Sequence, residues 1–152
     1  MCWVAYNKKE ATVNIAKEDI IVYKIVRMKG NKLYPYFYHF NNIYTINKVN
    51  PLINIELEES LEETHYACIN KGYHSYAMIP EIYKYKFSDD DVIFVNYNTK
   101  YKFLRDTYEL DDPLCLVECI IPKGTKYYVN HLGECVSEQL IVTKILEEYG
   151  KT

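Results

Sequence analysis

The chain has 152 residues, of which 49% are hydrophobic and 26% are charged, with five glycines and five prolines. This composition excludes a disordered or collagen-like chain, and the length predicts one domain covering residues 1–152. The net charge is −3, and Arg27 and Arg105 are the only arginines. Duplex nucleic acid is therefore not an expected partner, because its recognition depends on basic surfaces and on bidentate arginine contacts.

The cellular setting is suggested by the apolar pattern and the cysteines. No run of 18 apolar residues is present, and the charges near the N-terminus follow its apolar residues, so neither a membrane span nor a secretory signal is predicted. The five cysteines are odd in number and unevenly spaced, which is typical of a reducing compartment. We therefore expect a cytoplasmic protein without membrane contacts.

The first half of the chain is predicted to contain short strands. The β-branched run Asp19–Val26 is the clearest, and its nearly continuous apolar pattern indicates that both of its faces are covered. Alternating aromatic residues favour another strand over Tyr34–Phe40. Two shorter strands are predicted over Ile43–Ile46 and Leu52–Leu57, and the acidic run Glu58–Glu63 is predicted to be a turn or a single helical turn.

The second half is predicted to mix strands with short helices. Pro80–Phe87 has apolar residues at helical spacing after a proline suited to a first turn, which predicts a helix. A strand is predicted over Val92–Val95. Leu114–Ile121 is the strongest strand signal, and the Pro-Lys-Gly turn after it predicts that Thr125–Val129 returns as its hairpin partner. Val136–Leu146 is predicted to be a strand ending in a short helical tail.

Together these elements predict a mixed fold. The strands follow one another too closely for β-α-β units, so the sheets should be mainly antiparallel. We therefore expect an α+β fold with mainly antiparallel sheets and one or two short helices.

The 17 tyrosines are the most prominent feature of the sequence. A tyrosine ring can stack on a nucleobase while its hydroxyl group forms a hydrogen bond, although sheet composition and codon preference would also explain the number. Lysines and turn amides can bind phosphate. The favoured interpretation is a non-enzymatic binding module for a small nucleotide-derived ligand, with ligand-binding residues expected at Lys24, His74, Tyr76, Lys123, Lys126 and Tyr127. We expect the His74 segment and the Lys123 turn to meet at one polar hollow.

Cys115 and Cys119, and also His131 and Cys135, are four residues apart, which makes a zinc site one candidate. In a strand this offset places two side chains on one face but about 13 Å apart. One tetrahedral ion with Zn–S bonds of about 2.3 Å does not fit such a pair. Neither a metal nor a cofactor is therefore expected.

Four segments resemble parts of the ADP-ribosyltransferase family. They are the strand Val22–Lys24, the segment Gly72–Tyr76, the run Glu118–Tyr127 and the strand Ser137–Val142. The family fold consists of two small sheets around an NAD cleft, so the resemblance implies a degenerate version of that fold here.

The same resemblance implies an alternative function. Ser75 corresponds to the first serine of the strand that lines the nicotinamide pocket, and Glu138 corresponds to the catalytic carboxylate. Lys24 stands where the family has arginine or histidine. The implied activity is that of a mono-ADP-ribosyltransferase or NAD hydrolase, in which Glu138 would hold the ribose 2′-hydroxyl group while nicotinamide leaves.

The chain is also similar to a loose group of short proteins from gut bacteria and their phages. The shared segments are Val22–Lys24, Lys71–Tyr76 and Ile121–Tyr128. This resemblance implies an origin in gut bacteria or their phages. If the chain is a phage protein, a small nucleotide-binding module of this kind could sequester a nucleotide used in host immune signalling. A further alternative is an oligomeric protein-interaction domain whose interface is an aromatic patch, formed by Tyr34, Tyr36, Tyr38 and Phe40.

Overall fold

The structure, a computed structural model, describes residues 3–35, 43–59, 65–79, 81–87, 90–97, 100–104 and 114–149. These ranges form strands and contain no α-helix, so the expected α+β fold with short helices is wrong. The strands are β1 (Trp3–Ala5), β2 (Asn14–Ile15), β3 (Ile20–Lys29), β4 (Lys32–Pro35), β5 (Glu58–Glu59), β6 (Ala67–Ile69), β7 (Tyr73–Tyr76), β8 (Glu81–Phe87), β9 (Asp90–Tyr97), β10 (Lys100–Leu104), β11 (Leu114–Ile121), β12 (Lys126–Val129), β13 (Glu134–Ser137) and β14 (Ile141–Tyr149).

The strands form three antiparallel sheets. The large sheet has the order β14-β11-β3-β7-β13-β12-β2, and β4 pairs with the second half of β3. A small sheet has the order β1-β6-β5, and another has the order β10-β9-β8. The expectation of mainly antiparallel pairing is therefore confirmed, although without the helices.

Both predicted helical segments are strands. Glu81–Phe87 pairs with β9 along its whole length. Its tyrosines alternate with lysines, and this period of two is the pattern of a strand. The strand predicted over Val136–Leu146 is divided between β13 and β14, and β14 (Ile141–Tyr149) has no helical tail because it pairs with β11 along its length.

The predicted hairpin between Leu114–Ile121 and Thr125–Val129 does not form. β11 pairs with β3 on one side and with β14 on the other, so neither of its edges is open to β12. β12 pairs instead with β13 and β2. The turn after Ile121 therefore carries the chain away from β11.

The other short predictions are met in part. The strand predicted over Tyr34–Phe40 is represented by β4, and residues 36–40 lie outside the described residues. Tyr44 forms a single bridge to Leu33, but residues 51–57 have no strand structure. Of the acidic run Glu58–Glu63, the first two residues form β5 and residues 60–63 lie outside the described residues.

Two hydrophobic cores lie on opposite faces of the large sheet. Cys135 packs in the first core and its neighbour Val136 in the second, as expected for successive residues of one strand. The first core draws on strands from β14 across to β12 and on Ala16 after β2. We call the face of the large sheet that carries this core its interior.

An irregular segment, residues 43–57, packs on both cores. Tyr44 is buried in the first core, whereas Ile55 is buried in the second. The side chain of Gln139 accepts a hydrogen bond from the Asn50 amide at 2.9 Å and donates one to its carbonyl oxygen at 2.6 Å. This segment is therefore fastened to the loop between β13 and β14.

Candidate functional site

Lys24 occupies the middle of β3 on the interior face of the sheet. It lies between Val22 and Val26 in the alternation of that strand, and both valines belong to the first core. Its cross-strand neighbour on β11 is Val117, which is also in this core. The Lys24 ammonium group donates a hydrogen bond to the carbonyl oxygen of His74 at 2.5 Å. A lysine side chain therefore enters an apolar environment, with a backbone carbonyl as its acceptor.

The environment of Lys24 disfavours its charge. Burial lowers the pKa of Lys24 from 10.5 to about 8, and Cys119 would oppose this shift only as a thiolate. Burial also raises the pKa of the Cys119 thiol to about 12, so the thiol is neutral at physiological pH and supplies no counter-charge. Within the described ranges, Lys24 forms no ion pair with a carboxylate.

Ser75 lies beside Lys24 on the neighbouring strand β7. Tyr23 is paired with Tyr76 in antiparallel register, so the next residue of β3 and the preceding residue of β7 are neighbours on the other face. Ser75 is 1% exposed, and its Oγ has no hydrogen-bond partner in the part of the chain that the structure describes. A buried hydroxyl without a partner is unusual, because its desolvation is not compensated.

Two tyrosines contribute polar groups to the same interior. The rings of Tyr44 and Tyr73 have centroids 6.4 Å apart, and both residues belong to the first core. Burial raises the pKa of both hydroxyls, so both remain protonated. The Tyr73 hydroxyl donates to the carbonyl oxygen of Pro51 at 2.5 Å, which ties it to the 43–57 segment.

His74 and Tyr76 lie next to Lys24 in the sheet, but their side chains lie on the opposite face. His74 pairs with Val136 of the second core, and Tyr76 pairs with Glu134. Burial, followed by the Glu134 charge, raises the pKa of the Tyr76 hydroxyl. The structure thus brings the backbone of His74 to Lys24, whereas the side chains of His74 and Tyr76 lie on the opposite face of the large sheet.

The three predicted residues of the Lys123 region lie elsewhere in the sheet. The Lys123 amide donates to the Asp19 carboxylate at 2.9 Å, just before β3 begins. That position is five residues before Lys24, about 17 Å along an extended strand. Lys126 is exposed on β12, and Tyr127 packs partly on the first core. The His74 segment and the Lys123 turn therefore do not meet.

Ser75 and Glu138 are also separated. Ser75 pairs with Cys135, whereas Glu138 follows the end of β13, three residues or about 10 Å further along. The backbone of Glu138 is held on both sides, by the Lys126 carbonyl oxygen and the Ile53 amide. Its half-buried carboxylate raises the pKa of Tyr128, after the larger effect of burial.

A second polar cluster was not anticipated from the sequence. The buried Glu10 carboxylate accepts hydrogen bonds from the Tyr6 amide at 2.9 Å and from the His131 amide at 2.8 Å. Its Oε2 also lies 2.9 Å from Nδ1 of His131. The Tyr6 ring contacts the rings of His131 and His65 edge to face, at 4.9 and 5.5 Å. In the sequence, Glu10 is one glutamate in a loop of mixed composition. Such a residue does not predict a contact with a partner 121 positions away.

A cleft of about 380 Å³ opens beside the 43–57 segment. Asn54 and Asn70 donate to Glu56 and Glu58 at 2.9 and 2.6 Å. Two carboxylates in this cleft disfavour a phosphate ligand. Its lining residues are Leu52, Ile53, Asn54, Glu56, Glu58, Asn70 and Lys71.

The cysteines do not form a metal centre in the ranges described. Cys115, Cys119 and Cys135 are buried free thiols, and Cys68 is a half-buried one. Across these ranges no three histidine, cysteine or acidic side chains are close enough together to hold an ion. Burial raises the pKa of Cys115 to about 11 and that of Cys135 to about 12, so these thiols are poor nucleophiles at neutral pH.

Comparison with known proteins adds no family assignment. No protein-family model, no curated protein and no solved structure matches this chain. No helix that could cross a membrane occurs in the parts of the chain described here.

Proposed function

We propose that this protein binds a small nucleotide-derived ligand and that Lys24 neutralises the ligand's phosphate from the interior of the large sheet. The observation that carries the proposal is the juxtaposition of Lys24 and Ser75. Lys24 is an enclosed cation whose one described acceptor is the His74 carbonyl oxygen. Ser75 is a buried hydroxyl without a described partner.

The Lys24 ammonium group and the Ser75 hydroxyl are polar groups whose desolvation is not compensated by the contacts described. A buried ammonium group without a counter-charge loses hydration that a single carbonyl oxygen does not replace. The unpaired Ser75 hydroxyl adds a desolvation cost of about 1–3 kcal/mol. A phosphate oxygen placed between the two groups would supply the counter-charge and would also accept a hydrogen bond from the hydroxyl.

Aromatic side chains support the nucleotide part of the proposal. Tyr44 and Tyr73 lie in the same core as the residues that flank Lys24. Tyrosine rings offer a face on which a nucleobase can stack. The resemblance to proteins of gut bacteria and phages extends the proposal to a signalling nucleotide of host immunity that the protein would sequester.

The proposal is tested by calorimetric titration with inorganic phosphate, AMP, ADP-ribose and a cyclic dinucleotide. Lys24→Met should weaken binding by about tenfold or more, because a hydrogen bond to a charged group contributes about 1.5–3 kcal/mol. Lys17→Met is the matched control, because Lys17 is an exposed lysine outside the site. Absence of binding by the wild-type protein, or equal affinities of wild type and Lys24→Met, would overturn the proposal.

A further inference from the structure

We propose that Lys24 is also a reactive amine, which condenses with a small aldehyde to form an imine inside the large sheet. This inference deepens the proposed function and rests on it for ligand access to Lys24. Among nucleotide-derived ligands, the matching class carries a ribose with a free anomeric carbon, because the open-chain form of such a ribose is an aldehyde.

The surroundings of Lys24 favour a neutral amine. The side chains that flank it, Val22, Val26 and Val117, are apolar. The His74 carbonyl oxygen can accept a hydrogen bond from an amine as well as from an ammonium ion. Among the residues that the structure describes, the titratable side chain that acts on Lys24 is the Cys119 thiol, which is neutral at physiological pH.

The fraction of neutral amine distinguishes Lys24 from a surface lysine. With a pKa of about 8, half of the Lys24 side chains are unprotonated at pH 8. An exposed lysine with a pKa of about 10.4 is less than about 1% unprotonated at that pH. Desolvated lysines of this kind are the ones that form Schiff bases.

The reaction balances without an oxidant or a reductant. The lone pair of Nζ attacks the carbonyl carbon, and the carbonyl π electrons move to the oxygen, which takes up a proton as the nitrogen releases one. Loss of water from this carbinolamine leaves the C=N bond, so amine and aldehyde give imine and water. Ser75 lies beside Lys24 in the register of β3 and β7, where its hydroxyl can donate a hydrogen bond to the carbonyl oxygen.

The test is reductive alkylation with limiting propionaldehyde and sodium cyanoborohydride, which traps the imine as a secondary amine. Peptide mapping by mass spectrometry then gives the modification rate of each lysine. At pH 8 Lys24 should be modified at least about tenfold faster than the exposed Lys17 and Lys144, and this preference should diminish above about pH 10, where the exposed amines also lose their protons. Lys24→Arg, which keeps the charge, should remove the fast site alone.

Failure of the inference is distinguishable from failure of the proposed function. Modification that follows exposure, with Lys24 slower than Lys17 and Lys144, would overturn the reactive amine whatever the calorimetry gives. Fast modification of Lys24 in a protein that binds none of the titrated anions would keep the reactive amine and overturn the phosphate site. Protection of Lys24 by ADP-ribose would support both.

Discussion

The carboxylate of Glu10 binds both the backbone and the side chain of His131, a residue 121 positions further along the chain. The amide of Tyr6 donates to the other carboxylate oxygen. One buried side chain therefore fastens the loop after β1 to the turn between β12 and β13.

This relationship predicts an acid-sensitive contribution to stability. Burial opposes ionisation of Glu10, but the hydrogen bonds from Tyr6 and His131 prevail and lower its pKa below the ordinary 4.5. A lowered folded-state pKa means that the stabilisation is complete above the unfolded-state value and is lost as the pH falls through the folded-state value. Glu10→Gln should reduce the free energy of unfolding by about 1–3 kcal/mol at pH 7 and by less below pH 4.

Urea unfolding at pH 7 and pH 3.5 measures this difference. Glu18→Gln is the control, because Glu18 is exposed and outside the cluster. An equal loss for Glu10→Gln at both pH values would contradict the prediction.

Lys24 should destabilise the ligand-free protein at neutral pH. Its pKa is 10.5 when unfolded and about 8 when folded, so between these values the unfolded chain binds more protons and stability rises with pH. Lys24→Met should therefore be more stable than wild type by about 1–3 kcal/mol at pH 7, and the difference should shrink between pH 8 and pH 10.5. Chemical denaturation across this pH range tests the sign of the stability difference and the pH interval over which it shrinks. A Lys24→Met protein less stable than wild type at pH 7 would refute the account.

The affinity for phosphate should follow the titration of Lys24. Phosphate binds the protonated form of Lys24, so affinity should decline as the pH rises through the pKa of about 8. Calorimetric titration at pH 6.5, 8 and 9.5 measures this decline. Affinity that is constant over this interval would exclude Lys24 as the anion-binding group.

Two buried serines should respond differently to the loss of their hydroxyls. Ser137 donates to the Gln139 carbonyl oxygen at 2.9 Å, whereas the Ser75 Oγ has no described partner. Ser137→Ala should cost about 1 kcal/mol of unfolding free energy, whereas Ser75→Ala should be neutral or stabilising. Ser75→Ala should also weaken phosphate binding, and a Ser75→Ala protein that unfolds more easily but binds normally would remove Ser75 from the site.

Gly72 should tolerate no side chain. Its φ is +138°, and a Cβ there would lie 2.6 Å from Cγ2 of Val136 and 2.8 Å from Cγ2 of Ile55. Gly72→Ala should therefore lower stability by about 2–4 kcal/mol through strain and overpacking of the second core. Gly30→Ala is the control, since Gly30 has φ +62° and open space around it, and thermal unfolding should show a smaller loss for it. Equal losses would contradict this account.

The strands were more predictable than their pairing. Asp19–Val26 was predictable because β-branched residues dominate it, and Leu114–Ile121 because it is a nearly continuous apolar run; both signals are local. The Thr125–Val129 hairpin was wrong because the edges of β11 are taken by β3 and β14, which is a property of distant sequence. Likewise, the helical spacing in Pro80–Phe87 was overridden by alternation of tyrosine and lysine, which suits a strand paired on β9.

The candidate site was predictable in the same limited way. Lys24 is the single charged residue inside the apolar run of β3. This local pattern is the one that a buried cation produces. Its proximity to Ser75 depends on the register of β3 and β7, about fifty residues apart. The contact between Glu10 and His131 joins two loops, and loops have no periodic sequence pattern from which such a contact could be predicted. Local patterns thus identified the unusual residue but not its surroundings.

The pairing of β3 with β11 has a consequence for synthesis. Ile20 pairs with Ile121, so β3 is synthesised about a hundred residues before its partner strand β11. At 5–20 residues per second, the β3 edge stays unpaired for roughly 5–20 s in the nascent chain. The chain therefore completes this central part of the large sheet only when β11 and β14 have emerged.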